Sequence, residues 1–262
     1  MQRNVVLSLG MGVDSTGILV RWLTDPTSRD FPLSALTVLV SQVGDEYPDT
    51  YRDLEEAVLP MVRAHRVRVV QVARPALTIG RGGQRYVVLD DSTSPARLVR
   101  SGPVRLSDEL ARNGTVAQVS NRRCSLRWKG EVLDAWLADN MPPGFVHVLG
   151  YDAAERRRAD RDAGIVRHGR QPDYPLLRWG WTRDTTRQFL YDLTGRWWNR
   201  SCCSHCPFRH RQAVRPCGRS AGVPIQTLAR WPYASSTRRW PSTRECGCSV
   251  RTAGGASRRN TI

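Results

Sequence analysis

The chain has 262 residues, 40% of them hydrophobic, which is enough for one sizeable α/β core. It contains no apolar run of about 18 residues, and its first residues lead straight into a strand pattern. We therefore expect a soluble, cytoplasmic domain with neither a membrane span nor a signal peptide. The formal net charge of +16 makes a nucleic-acid partner a hypothesis to test along the chain.

Short apolar runs rich in β-branched residues alternate with helical patterns along the first part of the chain. The strand patterns cover 4–9, 35–40, 67–72 and 145–149. The helical patterns cover 14–23, 48–64 and 130–138. This alternation predicts a doubly wound parallel sheet that binds ligands at the carboxyl ends of its strands.

The stretch 75–118 interrupts the alternation, because it offers turns and a hairpin pattern but few core residues. We interpret it as an insertion that lies over the sheet edge. Long loops of this kind often cover or contact a substrate, so it is a candidate lid.

The first turn, "SLGMGVDST" at 8–16, joins a strand to a helix. Gly10 and Gly12 would let the backbone approach a ligand, and the hydroxyls of Ser8, Ser15 and Thr16 lie nearby in sequence. N–H groups at a helix start favour an anion, so the turn fits a phosphate. Neither GxxxxGK[ST] nor GxGxxG is present, since Ser15 takes the place of the third glycine.

This turn resembles the SGGxDS pyrophosphate loop of the PP-loop ATP pyrophosphatases. It departs from that loop at Gly10 and Met11, and Val13 stands where relatives often have lysine. The resemblance implies the nucleotide-binding residues Ser8, Gly10, Gly12, Val13, Asp14, Ser15, Thr16 and, from the next motif, Gly44.

That next motif, "SQVGDEYPDTYRDLEE" at 41–56, is similar to the DTGxExPxTY segment of phosphoadenylyl-sulfate (PAPS) reductase-like proteins of the same superfamily. Gln42 and Val43 replace the usual Asp-Thr. Further similar segments follow in the family's order: "CSLRWK" (124–129), "GYDAAERRRA" (150–159), "YPLLRWGW" (174–181) and "SCCSHCPF" (201–208). Residues 5–208 are thus identified as PAPS reductase-like, which implies the adenine nucleotide alpha hydrolase-like (HUP-type) fold.

The resemblance implies ATP and Mg²⁺ as cofactors and adenylation with release of pyrophosphate and AMP, coupled to sulfur transfer onto a nucleic acid or nucleobase. Asp14 is implied as catalytic, and Lys129 and Arg158 are candidates for the cation that Val13 does not supply. For both cations, solvated surface charge is the alternative. A cysteine desulfurase would be the sulfur-donor partner.

Two other functions stay open. One is a sulfonucleotide reductase with a thioredoxin-like reductant, and the other is a nucleotide- or nucleic-acid-binding subunit without turnover.

The seven cysteines are absent from the first 123 residues, a clustering that favours metal or redox chemistry over disulfides, with chance clustering as the alternative. The Cys203-x-x-Cys206 spacing suits an iron–sulfur cluster or zinc. By resemblance, Cys124 joins this pair to hold a 4Fe–4S cluster, with Cys202, Cys217 or no residue as the fourth ligand. Zinc is the alternative metal.

Residues 207–262 carry eleven arginines against one acid, Glu245, and show no sustained periodicity. We place the domain boundary at 206 and expect the tail to be disordered. It is either a basic arm for nucleic acid or a chain end altered by a reading-frame change. Its "RECGCS" segment resembles the end that bears the reducing cysteine of sulfonucleotide reductases, which would correspond to Cys246.

Overall fold

The computed structural model describes residues 3–117, 123–167, 169–199 and 201–206. These contain one six-stranded sheet in the order β4-β3-β2-β1-β5-β6. All neighbouring strands pair in parallel except β3 and β4, which pair antiparallel. The strands are β1 (Val5–Ser8), β2 (Leu36–Gln42), β3 (Arg68–Ala73), β4 (Val87–Ser92), β5 (Val146–Val148) and β6 (Gln171–Asp173).

The connections between the strands are largely helical. The α-helices are α1 (Val13–Thr24), α2 (Pro48–Asp53), α3 (Leu59–Ala64), α4 (Leu106–Arg112), α5 (Arg123–Ser125), α6 (Glu131–Asn140), α7 (Arg156–Ala163), α8 (Pro175–Arg178) and α9 (Arg183–Thr194). One π-helical turn, Leu54–Val58, joins α2 to α3, and another, Leu126–Gly130, joins α5 to α6. Short 3₁₀ helices occur at Pro26–Ser28, Leu33–Ala35 and Ala153–Glu155.

Both faces of the sheet are covered, which explains why its central strands are apolar throughout. In β1, Val5 and Leu7 belong to the larger core cluster, which includes residues of α1, α3 and α9. Val6 points to the opposite face and packs with Val132 and Trp136 of α6. The structure is therefore an α/β protein compatible with the doubly wound arrangement, and the strand and helix patterns read from the sequence are confirmed to within about two residues.

The stretch 75–118 extends the sheet, since its strand β4 pairs with β3 at the edge. Part of the following segment is fixed to the core by side chains. The N–H of Val99 donates to Oε1 of Gln71 at 2.8 Å, and the N–H of Leu98 donates to Oε1 of Glu55 at 3.0 Å. A role as a lid stays a prediction.

The carboxyl ends of β1 and β5 form the point at which the chain reverses its direction across the sheet, because β2 lies on one side of β1 and β5 on the other. The two ends approach each other closely. A Cβ atom on Gly150, which follows β5, would lie 2.8 Å from the backbone N of Ser15 in α1. Only glycine fits there without a shift of backbone.

Residues 207–262, with Cys217, Cys246 and Cys248, lie outside the described residues, as do the predictions made for them. Within the described part of the chain, no helix is long and apolar enough to cross a membrane.

Candidate functional site

The turn after β1 has the backbone geometry of a helix start whose N-cap carries no side chain. Gly12 is the N-cap of α1, and its carbonyl accepts the first helical bond from Thr16 N at 3.2 Å. The N–H of Gly10 donates to Oγ of Ser15 at 3.0 Å, which closes the turn on itself. Met11 is buried with a φ of 60°. Because no N-cap side chain occupies the first N–H groups of α1, they remain suited to an anion.

The segment 201–206, which carries the Cys-x-x-Cys pair, contacts this turn. The hydroxyl of Ser201 donates to the carbonyl of Gly10 at 2.5 Å. A Cβ atom on Gly12 would lie 3.2 Å from Oγ and 3.3 Å from N of Ser201. The small residues of the turn therefore allow the cysteine-bearing segment to approach closely.

The same segment also contacts the second predicted motif. Cys203 forms an isolated antiparallel bridge with Glu46, and Ser204 N donates to the carbonyl of Asp45 at 2.8 Å. Gly44, in the turn after β2, has a φ of +87°, and a Cβ there would lie 2.6 Å from Cγ of Arg105. The structure thus brings the ends of β1 and β2 together with the segment 201–206.

Two of the three predicted metal ligands lie beside this second turn. Cys124 and Cys203 both pack against the buried cluster of Val43, Leu106 and Trp128. Burial, together with the neighbouring charges of Cys206, Glu46 and Cys124, raises the pKa of the Cys203 thiol to about 12. The donor set fits a thiolate-bound metal, because a bound cation would offset the cost of deprotonating these thiols. Among the described residues, however, no three His, Cys, Asp or Glu side chains are arranged closely enough to hold a metal ion.

Lys129 lies at the second turn rather than at the first. Its Nζ donates to Oε1 of Glu46 at 2.5 Å, and the Glu46 side chain is fully buried. The other carboxylate oxygen, Oε2, has no hydrogen-bond partner in the described part of the protein. Lys129 therefore neutralises a buried carboxylate next to Cys203.

Arg158 also interacts with neighbouring side chains. It forms an ion pair with Glu155, and its guanidinium carbon lies 4.8 Å from the ring centroid of Tyr151. Glu155 belongs to the 3₁₀ turn after β5, so Arg158 lies on the side of the reversal point away from β2.

The cation that contacts the first turn directly is Arg183, which the sequence did not single out. Its Nε lies 3.3 and 3.1 Å from the two carboxylate oxygens of Asp14, and its Nη2 lies 2.7 Å from Oδ2. Burial raises the pKa of Asp14 despite this pairing, whereas the hydrogen bond to Asp14 raises the pKa of Arg183. Nη2 also lies 3.4 Å from Glu155 and 3.7 Å from Asp152. One guanidinium thus forms ion pairs with three carboxylates.

A buried polar chain begins at Ser8, the last residue of β1. Ser8 Oγ lies 2.8 Å from Nε2 of His147 in β5, and Nδ1 of His147 lies 3.1 Å from Nη1 of Arg170. Arg170 pairs with Asp162 at 2.9 Å, and Asp162 accepts a hydrogen bond from Tyr174 at 2.8 Å. Burial, with the charge of Arg170, lowers the pKa of His147 to about 3, so the imidazole is neutral. These polar contacts leave little signal in the sequence, since His147 lies within an apolar strand pattern.

Comparison with known proteins adds no relative: no family model, curated protein or solved structure matches the chain. The functional interpretation therefore depends on the geometry described above. That geometry combines a helix start without an N-cap side chain, a guanidinium held by the first turn of α1, and a cysteine-bearing segment that contacts both strand ends.

Proposed function

We propose that the protein is a PP-loop nucleotide-binding enzyme that adenylates its substrate with ATP, releases pyrophosphate and AMP, and couples this step to sulfur transfer. The observation that carries the proposal is the position of the segment 201–206. It contacts the phosphate-suited turn through Ser201 and the second turn through Cys203 and Ser204. Nucleotide chemistry and thiol chemistry would therefore share one site.

The first half of the proposal is nucleotide binding at the end of β1. A turn at the point where strand order reverses is the usual ligand position in such sheets. The residues 10–16 would bind the phosphates through backbone N–H groups, and Mg²⁺ when bound would neutralise phosphate charge. An adenine nucleotide alpha hydrolase-like (HUP-type) sheet is part of this proposal, as is a cytoplasmic location.

The second half is sulfur chemistry at the cysteines. The thiols of Cys124, Cys203 and Cys206 would hold a 4Fe–4S cluster or zinc, and an iron–sulfur cluster with an open iron site could carry sulfur to the adenylated atom. The residues' own contribution is an apolar wall, since Val43, Leu106 and Trp128 pack against the half-buried Cys124 and Cys203. Lys129 keeps the adjacent Glu46 neutralised, which limits repulsion between that carboxylate and thiolates.

The test is a measurement of products. Purified protein is incubated anaerobically with ATP and Mg²⁺, with thiolatable nucleic acid and a cysteine desulfurase, and AMP and pyrophosphate are quantified. We expect both products in equal amounts and fewer of them from Gly12→Val. A protein that binds no adenine nucleotide contradicts the proposal, and sulfite release from a sulfonucleotide with thioredoxin would favour a sulfonucleotide reductase instead.

A further inference from the structure

The first turn lacks the lysine that a pyrophosphate loop of this type often carries, because Val13 occupies that position and its side chain is buried. Departure of pyrophosphate concentrates negative charge, and backbone N–H groups alone leave much of it without a cation. Lys129 and Arg158 pair with Glu46 and Glu155, and neither of these carboxylates lies in the first turn. The cation must therefore be sought among residues that touch the turn itself.

Arg183 meets this condition through Asp14, which lies in the first turn of α1. Two guanidinium nitrogens, Nε and Nη2, donate to Oδ2 of Asp14, and the pair joins residues 169 positions apart in the chain. Because α9 packs against α1, the start of α9 is held beside the start of α1. The guanidinium is thus positioned by helix packing as well as by the ion pair.

The guanidinium retains capacity for another acceptor. Its contacts with the three carboxylates use Nε and Nη2, and within the described part of the chain Nη1 has no hydrogen bond or ion pair. The side chain is 32% exposed, so an approaching anion can reach it. Arginine suits this task, since its planar fork can bond phosphate oxygens in pairs.

The carboxylate that holds Arg183 has a raised pKa, mainly because Asp14 is buried. Burial disfavours the charge of Asp14, and Asp152 and Glu155 add repulsion. A phosphate oxygen that accepts from the guanidinium would compete with Asp14 for the same donors. Mg²⁺ bound with the nucleotide would offset the carboxylates that such an exchange releases.

Building on the proposed function, we propose that Arg183 is the phosphate-binding cation of this site: Asp14 holds its guanidinium in the free protein, and the diphosphate group of the bound adenine nucleotide accepts hydrogen bonds from it. Arg183 thereby takes the part of the lysine that Val13 replaces. The substrate class is a nucleotide with at least two linked phosphates.

The test measures binding of magnesium-free pyrophosphate by calorimetry, so that no Mg²⁺ contact with Asp14 contributes. We expect Arg183→Gln to weaken binding at least about tenfold, because a charge-assisted bond is lost. Arg183→Lys should retain part of the affinity. The control is Arg178→Gln, which removes an exposed arginine paired with Asp173 and should bind as the wild type does.

A second variant separates phosphate binding from a purely structural role. If Arg183 acts only by neutralising Asp14, then Asp14→Asn/Arg183→Gln regains wild-type affinity, and the inference is overturned. If Arg183 binds phosphate, the double variant binds pyrophosphate as weakly as Arg183→Gln does. The double variant leaves no unpaired charge at position 14, so its fold should survive, which thermal unfolding checks.

The two proposals fail differently. Wild-type protein that binds neither pyrophosphate nor ATP with Mg²⁺ overturns the proposed function and the inference together. Wild-type protein that binds ATP with Mg²⁺ overturns only the role of Arg183 if it binds no pyrophosphate, or if Arg183→Gln binds pyrophosphate equally well.

Discussion

His147 donates a hydrogen bond to Ser8, and a third residue fixes the direction of that bond. Nδ1 of His147 faces Nη1 of Arg170, which can only donate, so Nδ1 must be the acceptor. The proton of the neutral imidazole is then on Nε2, which lies 2.8 Å from Oγ of Ser8. The Ser8 hydroxyl is left to donate in another direction, at the strand end that leads into the first turn.

This arrangement predicts an acid-sensitive stability that depends on His147. The pKa of His147 is about 3 in the folded protein and about 6.5 in the unfolded chain. Between these values the unfolded state binds the extra proton, so stability falls as the pH falls through this window and is fully present above about 6.5. We expect His147→Gln to remove up to about 1.4 kcal/mol per pH unit from the slope of the unfolding free energy between pH 6 and 4.

Urea unfolding at a series of pH values measures this slope. His65→Gln, at an exposed position, is the matched control for the loss of a histidine. An unchanged slope in His147→Gln would mean that His147 is not buried as a neutral base.

The close approach of the segment after β5 to α1 predicts that no residue larger than glycine is tolerated at position 150. A Cβ at this position would lie 2.8 Å from Ser15 N and 3.1 Å from the carbonyl carbon of Asp14, and backbone yields little. Gly150→Ala should therefore cost about 1–3 kcal/mol of unfolding free energy and should weaken nucleotide binding. Chemical denaturation and nucleotide titration measure the two effects. Gly80→Ala, where nothing lies within 4 Å of the added Cβ, should change neither.

The sequence predicted the central strands and their helices because burial on both faces leaves apolar runs of strand length. The runs at 4–9 and 35–40 became β1 and β2, and the pattern at 48–64 became α2, the π-helical turn and α3. The edge strands β4 and β6 were not predicted as strands of the sheet, because both are only partly buried and therefore lack an apolar run. Their pairing is decided by tertiary contacts that leave little periodic signal.

The site was predictable only where its residues are close in the chain. The glycines of the turn at 8–16 indicate a ligand-binding turn, and the spacing of Cys203 and Cys206 indicates a pair of metal ligands. Arg183 gave no such signal, since nothing in "WTRDTT" says which strand end it faces. Lys129 was named as a cation candidate, but its partner Glu46 is 83 residues away, and only the fold brings them together.

The pair of Lys129 and Glu46 predicts an asymmetric response to mutation. Lys129→Met would leave the fully buried Glu46 carboxylate without a cation, which should destabilise the protein by on the order of 3 kcal/mol. Lys129→Met/Glu46→Gln should recover much of that loss, because no buried charge remains. Denaturant unfolding of both variants tests the pair, and equal stability of Lys129→Met and the wild type would contradict it.

Cys124, Cys203 and Cys206 predict a bound metal that is lost when any one of the three is replaced. Removal of any one of Cys124, Cys203 and Cys206 should abolish stoichiometric metal, because the remaining two thiolates cannot hold a cluster and leave zinc without a third thiolate ligand. Anaerobic preparation of the wild type should give a brown protein with broad visible absorption, and each Cys→Ala variant should lose iron and colour. Cys246→Ala and Cys248→Ala are the controls and should keep both.

Alkylation of the metal-free protein tests the proximity of the same three cysteines independently. A Cys203 thiol with a pKa of about 12 is almost fully protonated at neutral pH and should react slowly with iodoacetamide. Cys124→Ala and Cys206→Ala each remove a neighbouring negative charge, so the pKa should fall and the reaction at Cys203 should become faster at high pH. Mass spectrometry of the alkylated peptide follows this rate. An unchanged rate in both variants would place the three thiols too far apart to share a metal, whereas stoichiometric zinc without iron would retain the ligand set and replace the cluster.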